Sequence, residues 1–165
     1  MSGQAGAIVS ALLLIAMLLT KTYISIGFEI AELKHRGAAA EEAVGAVLDC
    51  LIEDGYRILH DLEHVLPGNV DHVVSGPTGV FLVETKSNGF ARRDLGRTKN
   101  AARLLAQELD VRWVVPVICL HRRPDVHWTQ ERVAVVGISR LAAFIRANHG
   151  AGADLDRLTA VAARG

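Results

Sequence analysis

The residues with the clearest chemical content lie in one short stretch, Asn69-Val70-Asp71-His72-Val73-Val74-Ser75-Gly76-Pro77-Thr78-Gly79-Val80-Phe81-Leu82-Val83-Glu84-Thr85-Lys86. Two β-branched runs flank the turn sequence Gly76-Pro77-Thr78-Gly79, so the stretch reads as a β-hairpin. A turn centred between Pro77 and Thr78 pairs Ser75 with Val80 and, by continuation, sets Asp71 directly across from Glu84. Opposed side chains share a face, with Cβ atoms about 4.5–5.5 Å apart. Lys86, two residues beyond Glu84, projects from that face too, and Val73, Val80 and Leu82 make the rest of it apolar. Two opposed carboxylates repel, more so when buried, and such a pair persists where a cation or a shared proton compensates it. Mg2+ is the fitting cation, because it takes hard oxygen ligands, uses one or two carboxylates and leaves its other positions to water and phosphate oxygens. A lysine beside that centre orients or helps deprotonate an attacking water, or neutralises charge developing on phosphorus. Asp, then Glu-x-Lys on the neighbouring strand, is thus a minimal set for metal-assisted phosphodiester hydrolysis. The same residues also fit a plain cross-strand ion pair of Asp or Glu with Lys, and spacing alone leaves both readings standing.

The elements that must position this hairpin are legible around it. Val44, Val47, Leu48, Leu51 and Ile52 recur at helical spacing, which predicts a helix over Ala38–Asp54 stopped by Gly55. Strand character follows at Tyr56–Leu59, Val70–Ser75 and Val80–Ser87. A second helix is expected over Leu95–Leu109, with Asp94 as its N-cap and Leu104, Leu105 and Leu109 on one side. Trp113–Leu120 is a continuous apolar run, the pattern of a strand covered on both faces. Val126–Trp128 and Arg132–Ile138 add strand character, Ser139 is expected to cap a helix through Asn148, and Asp154 a last short one. Helix, three strands, helix, strand describes an α/β sandwich with a mixed central sheet flanked by helices.

The 165 residues carry 18 Lys+Arg against 18 Asp+Glu, and none of these charges falls in residues 1–20. A balanced charge excludes a histone-like polycation or an acidic solvating tail, so any nucleic-acid site must be a focused patch. Cys50 and Cys119 lie far apart in apolar segments, which excludes a disulfide framework or a multi-cysteine zinc module and predicts reduced, buried thiols. From Gly3 to Thr20 the chain is apolar except for Gln4 and Ser10, and 18 helical residues at about 1.5 Å each span roughly 27 Å, enough to cross a bilayer. No basic residue precedes the run and no small-x-small site follows it, which argues against a cleaved signal peptide. Lys21, Lys34 and Arg36 come after the run, so the rest of the chain is expected on the cytoplasmic side of a single-pass anchor. The expected organisation is therefore a transmembrane anchor over 1–22, a juxtamembrane helix or linker over 23–36, a globular domain over 37–149 and a tail with a short helix over 150–165.

Ala38-Ala39-Ala40-Glu41-Glu42-Ala43-Val44, Gly55-Tyr56-Arg57-Ile58-Leu59-His60-Asp61-Leu62, Asn69-Val70-Asp71-His72-Val73-Val74 and Gly79-Val80-Phe81-Leu82-Val83-Glu84-Thr85-Lys86 together resemble the nuclease-related domain (NERD) family over residues 37–120. That family is assigned to the PD-(D/E)XK nuclease superfamily, whose restriction-endonuclease-like core has the same order of elements. The resemblance implies that Asp71 and Glu84 bind the metal, Mg2+ or alternatively Mn2+, that the Thr85 backbone carbonyl completes the site, and that Lys86 is the catalytic lysine. It also implies an acid on the first helix. Glu41 lies three residues before Val44 and seven before Leu48, near the packed face, whereas Glu42 aligns with Asp49 and Glu53 on the solvent face, so the role falls to Glu41. The chain departs from the family pattern at Val70, where the superfamily name expects proline, and at Ala40, where glycine usually precedes the helix acid.

Arg92, Arg93, Arg97, Lys99 and Arg103 follow the hairpin with Asp94 as the one acid among them. Arg97, Lys99 and Arg103 are the candidates for phosphate contact with nucleic acid; the competing reading is a solvated helix face. His60 and His64 read as solvated loop histidines rather than zinc ligands, and Trp113 and Trp128 as packing residues. The expected function is a membrane-anchored nuclease-related domain performing metal-dependent hydrolysis of DNA or RNA. The alternative is a catalytically silent module that binds nucleic acid or a protein partner at the membrane.

Overall fold

The computed structural model describes residues 2–66 and 68–156, with side chains described there except at 2–14, 27–31, 33, 34, 63–66 and 68. Helix α1 (Ser2–Asp49) leads through a 3-10 turn (Ile52–Asp54) to strands β1 (Arg57–Leu66), β2 (Gly68–Gly76) and β3 (Gly79–Lys86). Helix α2 (Arg92–Glu108), strands β4 (Val115–Leu120), β5 (His127–Gln130) and β6 (Val133–Gly137), and helix α3 (Ile138–Arg146) complete the order. The chain divides into two compact units between Arg36 and Gly37, a boundary inside α1.

Within the second unit the strands form a six-stranded mixed sheet, β1-β2-β3-β4-β6-β5. β1–β2, β2–β3 and β5–β6 pair antiparallel, while β3–β4 and β4–β6 pair parallel. The parallel β3–β4 pair needs a crossover, and α2 supplies it. β4 and β6 are buried almost throughout, in keeping with their unbroken apolar runs. On one face Val44, Leu48 and Leu51, with Leu141 and Ile145 of α3, pack on Val74, Phe81, Val83, Val117 and Val136. On the other, Ala102 and Leu105 of α2 pack on Val73, Val80 and Leu82, joined by Leu155. The α/β expectation therefore holds as a mixed sheet flanked by helices.

The hairpin tip is anchored rather than free. Gly79 takes the left-handed turn position at φ 135°, and the Thr78 hydroxyl donates to the Ile145 carbonyl at 2.6 Å while lying 2.8 Å from the Tyr56 hydroxyl. Several local expectations are corrected. β1 runs on to Leu66 instead of stopping at Leu59, passing an irregularity marked by Asp61 at φ 49° and a register shift between Leu62 and Leu66. α2 starts three residues early, so Asp94 sits in its first turn and accepts the Ala91 N–H from there at 2.7 Å, instead of being the N-cap. Gly137, not Ser139, precedes the first residue of α3; the Ser139 hydroxyl instead bonds the Pro124 carbonyl at 2.6 Å. Cys119 is buried as expected, but Cys50 is exposed, because the helix carries it to the solvent side of its last turn.

Among the described residues no helix is long and apolar enough to cross a membrane. Most of the apolar run 3–20 lies outside that statement, its side chains being described only from Ile15 onward. The short helix expected after Asp154 also lies outside the described residues beyond Asp156, where the Asp154 carboxylate accepts the Asp156 N–H at 2.9 Å.

Candidate functional site

The β2–β3 register pairs Ser75 with Val80, Val74 with Phe81, Val73 with Leu82 and His72 with Val83. The ladder ends there, one residue short of Asp71 and Glu84. At that point Asp71 Oδ2 accepts the Thr85 N–H at 2.6 Å, so a side chain takes the donor that a longer ladder would have used. On β3, the Lys86 ammonium reaches Glu84 Oε1 at 2.6 Å, with both side chains only about a quarter exposed (27% and 22%). Thr85 between them is buried.

Asp71 carries the electrostatic record of this crowding. Burial first, then repulsion by Glu84, pushes its carboxyl up to about 7 from an ordinary 3.8; the Thr85 N–H works the other way, Glu41 adds repulsion and Lys86 relieves some of it. Asp71, Glu84, Thr85 and Lys86 are thus brought together at the end of the hairpin, and the charge of Glu41 on α1 is felt at Asp71. Glu41 is half-buried and Glu42 exposed, and both line a cavity of about 440 Å³ with Asp49, His60 and His72.

That cavity holds an arrangement the sequence reading missed. His60 and His72 are direct cross-strand partners, their Nδ1 atoms 2.8 Å apart. His60 Nε2 lies 3.0 Å from Asp49 Oδ1, and His72 Nε2 lies 3.4 Å from the Thr85 hydroxyl. The carboxylate only accepts, so His60 Nε2–H donates to it; a neutral His60 then accepts from His72, and His72 from Thr85. Burial above all, with the neighbouring His60, pushes His72 down to about 4. His60 is therefore a strand residue rather than a loop histidine, exposed at its outer side yet part of a polar chain ending on Thr85, and the signal missed was the extra length of β1. The side chain of His64 lies outside the described residues.

The basic residues separate. Lys99 and Arg103 line a second cavity on α2, and Arg97, although exposed, is not among its lining residues. Trp128 packs against Phe90, rings 6.4 Å apart and 27° from parallel, as a packing residue should. Trp113 does not: it is 55% exposed, because β4 begins only at Val115 and leaves it on the connection from α2.

Among the described residues no group of three or more His, Cys, Asp or Glu side chains is placed to hold a metal ion. The pair Asp71 and Glu84 nevertheless fits a hard divalent cation in its chemistry: both donors are carboxylate oxygens, and a cation would offset both the burial and the Glu84 repulsion that push the Asp71 carboxyl up.

A mixed sheet flanked by helices, with two carboxylates and a lysine at the end of its central hairpin, defines an α/β domain with an acidic and basic cluster at one strand end. The family model described as nuclease-related domain matches residues 36–121, just over half of the chain. The chain belongs to the nuclease-related domain (NERD) family, of the PD-(D/E)XK nuclease class. No curated protein and no solved structure matches it.

Proposed function

We propose that the chain is a membrane-anchored, divalent-metal-dependent nuclease, with a restriction-endonuclease-like arrangement of its sheet and an active site at Asp71, Glu84 and Lys86. The observation that carries the reading is the gathering of Asp71, bonded to the Thr85 N–H, and of Lys86 held against Glu84 at one end of the hairpin of a nuclease-related domain. Asp71, Glu84 and the Thr85 carbonyl are the oxygens that would hold Mg2+ or Mn2+. Such an ion, when bound, supplies positive charge to the phosphoryl oxygens. Asp71 would hold the ion as a carboxylate, and the Thr85 N–H keeps that carboxylate aimed. Lys86 Nζ, released from Glu84, orients the attacking water or neutralises charge growing on the phosphate. Glu41 is the additional carboxylate that steers that water.

Arg97, Lys99 and Arg103 hold the backbone of DNA or RNA. Support for the anchor is the apolar run 3–20, together with Ile15, Met17, Leu18 and Leu19 on α1, all more than half exposed. Lys21, Lys34 and Arg36 after that run favour a cytoplasmic domain.

The test uses the full-length chain in detergent with end-labelled single- and double-stranded DNA and RNA, in Mg2+, Mn2+ or EDTA. Cleavage is expected with either metal and not in EDTA. Lys86→Ala should lower the rate at least about 100-fold with nucleic-acid affinity nearly unchanged, since it removes a transition-state contact. Asp71→Asn and Glu84→Gln should weaken the rise in melting temperature that the metal gives wild type. Binding without metal-dependent cleavage of any strand type, with Lys86→Ala altering affinity alone, overturns the nuclease reading in favour of the silent binding module.

A further inference from the structure

A second concave site lies on α2. A cavity of about 500 Å³ is lined by Lys99, Arg103 and Ala106 of α2, by Arg112 and Trp113 ahead of β4, and by Arg132 ahead of β6. Its size falls within the range of about 300–1,000 Å³ in which proteins bind small organic groups. It is distinct from the Asp71 cluster. Glu84 pairs with Ile118 in the parallel β3–β4 ladder, and Trp113 precedes Ile118 by a stretch that at about 3.3 Å per residue reaches up to about 16 Å toward the other end of the sheet.

Two properties of this cavity need a common ligand. The first is excess positive charge. Arg103 is held by the neutral side chains of Gln107 and Asn100, each at 3.2 Å, and Lys99 approaches Glu131 only at 3.9 Å. Among the described residues no carboxylate lies within ion-pair distance of Arg103, Arg112 or Arg132. Arg132 is also kept in the left-handed region, φ 68°, beside Glu131 at φ 50°, in a two-residue turn between β5 and β6 that Asn-Gly would fill with less strain. The second property is the exposed indole of Trp113, a large apolar plane left in water beside those cations, whereas Trp128 is covered by Phe90.

An inorganic anion or an acidic peptide would satisfy the cations and leave the indole bare. A nucleotide satisfies both, its base stacking on the aromatic plane and its phosphates on the guanidinium groups. A base in a duplex already has both faces stacked, so the base must be unpaired. We propose that this cavity binds one unpaired nucleotide of a single-stranded nucleic acid, its base on Trp113 and its flanking phosphates on Arg103, Arg112 and Arg132. The proposal rests on the reading of the domain as one that handles nucleic acid, and it names the substrate class: single strands, or duplexes with single-stranded segments.

The experiment uses the full-length chain in detergent and EDTA, carrying Trp128→Phe so that Trp113 is the one tryptophan of the two left. A dT12 oligonucleotide should quench Trp113 fluorescence, and the dT12·dA12 duplex at equal concentration should not. By anisotropy of labelled dT12, Trp113→Ala should weaken binding by about 5- to 150-fold and Trp113→Phe should restore most of it. Arg112→Ala and Arg132→Ala should each reduce the log–log salt slope by about 0.7. Binding of dT12 with no quench, and equal affinity in Trp113→Ala, overturns the proposal while the nucleic-acid reading stands. No binding of dT12 or duplex, or quenching by free dTMP alone, overturns both.

Discussion

Asp71 and His72 are neighbours on β2 whose environments push them in opposite directions. The folded protein holds a proton on Asp71 up to about 7, while the unfolded chain releases it near 3.8. Over that window the folded state binds more protons, so this residue makes stability fall as pH rises. His72 takes up its proton near 6.5 in the unfolded chain but only near 4 in the fold, so it makes stability rise with pH between those values. The two slopes oppose each other from about pH 4 to 6.5, and the metal-free protein should be nearly flat there. Each variant uncovers the other residue: in EDTA, the urea midpoint of Asp71→Asn should climb from pH 4 to 6.5, and that of His72→Gln should decline from about pH 4 to 7. Parallel curves for wild type and both variants would contradict the buried carboxyl and the buried imidazole alike.

At the scale of elements, the last turns of α1 form the lid over this polar chain. Gly45 faces the two imidazoles, and a Cβ there would meet His60 atoms at 3.5 Å and His72 Cε1 at 3.6 Å, ordinary contact distances. Gly45→Ala therefore adds helix propensity without a clash and should raise the unfolding free energy by about 0.5–1 kcal/mol in urea titrations. Gly45→Leu should lose stability instead, because its longer side chain would displace the two rings and break their 2.8 Å contact. A destabilised Gly45→Ala would mean that the helix lies closer to the strands than described. Val44 and Leu48, on the same side of the helix as Glu41, are fully buried against the face of Val74, Phe81 and Val83, opposite the face that Asp71 shares with Val73 and Leu82, and the repulsion of Glu41 on Asp71 is correspondingly weaker than that of Glu84.

At the scale of the molecule, the native cysteines report topology without any fusion. Cys50 is exposed, whereas Cys119 is buried, its thiol pushed up to about 12 by that burial, so it contributes almost no thiolate. A membrane-impermeant maleimide should thus modify one residue, Cys50, in the folded protein. With the anchored, cytoplasmic arrangement proposed above, labelling is expected in inside-out vesicles and not in intact cells. Labelling of intact cells, or release of the full-length chain by a high-salt wash, would overturn that arrangement.

The elements and the hairpin register were legible because they are local. The β-branched runs of β2 and β3 flank a four-residue turn, so Ser75 had to meet Val80, and the alternation then carried Asp71, Glu84 and Lys86 to one end. The apolar run of β4 likewise announced a strand covered on both faces. The length of β1 was not legible, since His60-Asp61-Leu62 lacks strand propensity; His60 and Leu62 are paired with His72 and Val70 of β2 around Asp61, which sits at φ 49°. That pairing set His60 on His72 and built the chain to Thr85. Nor could the sequence assemble Arg112, Trp113 and Arg132 with Lys99 and Arg103, because they meet only after the parallel crossover brings the starts of β4 and β6 beside α2. Residue type and spacing determine which groups a strand presents; which of them remain exposed, and which share a cavity, depends on what the rest of the chain leaves uncovered.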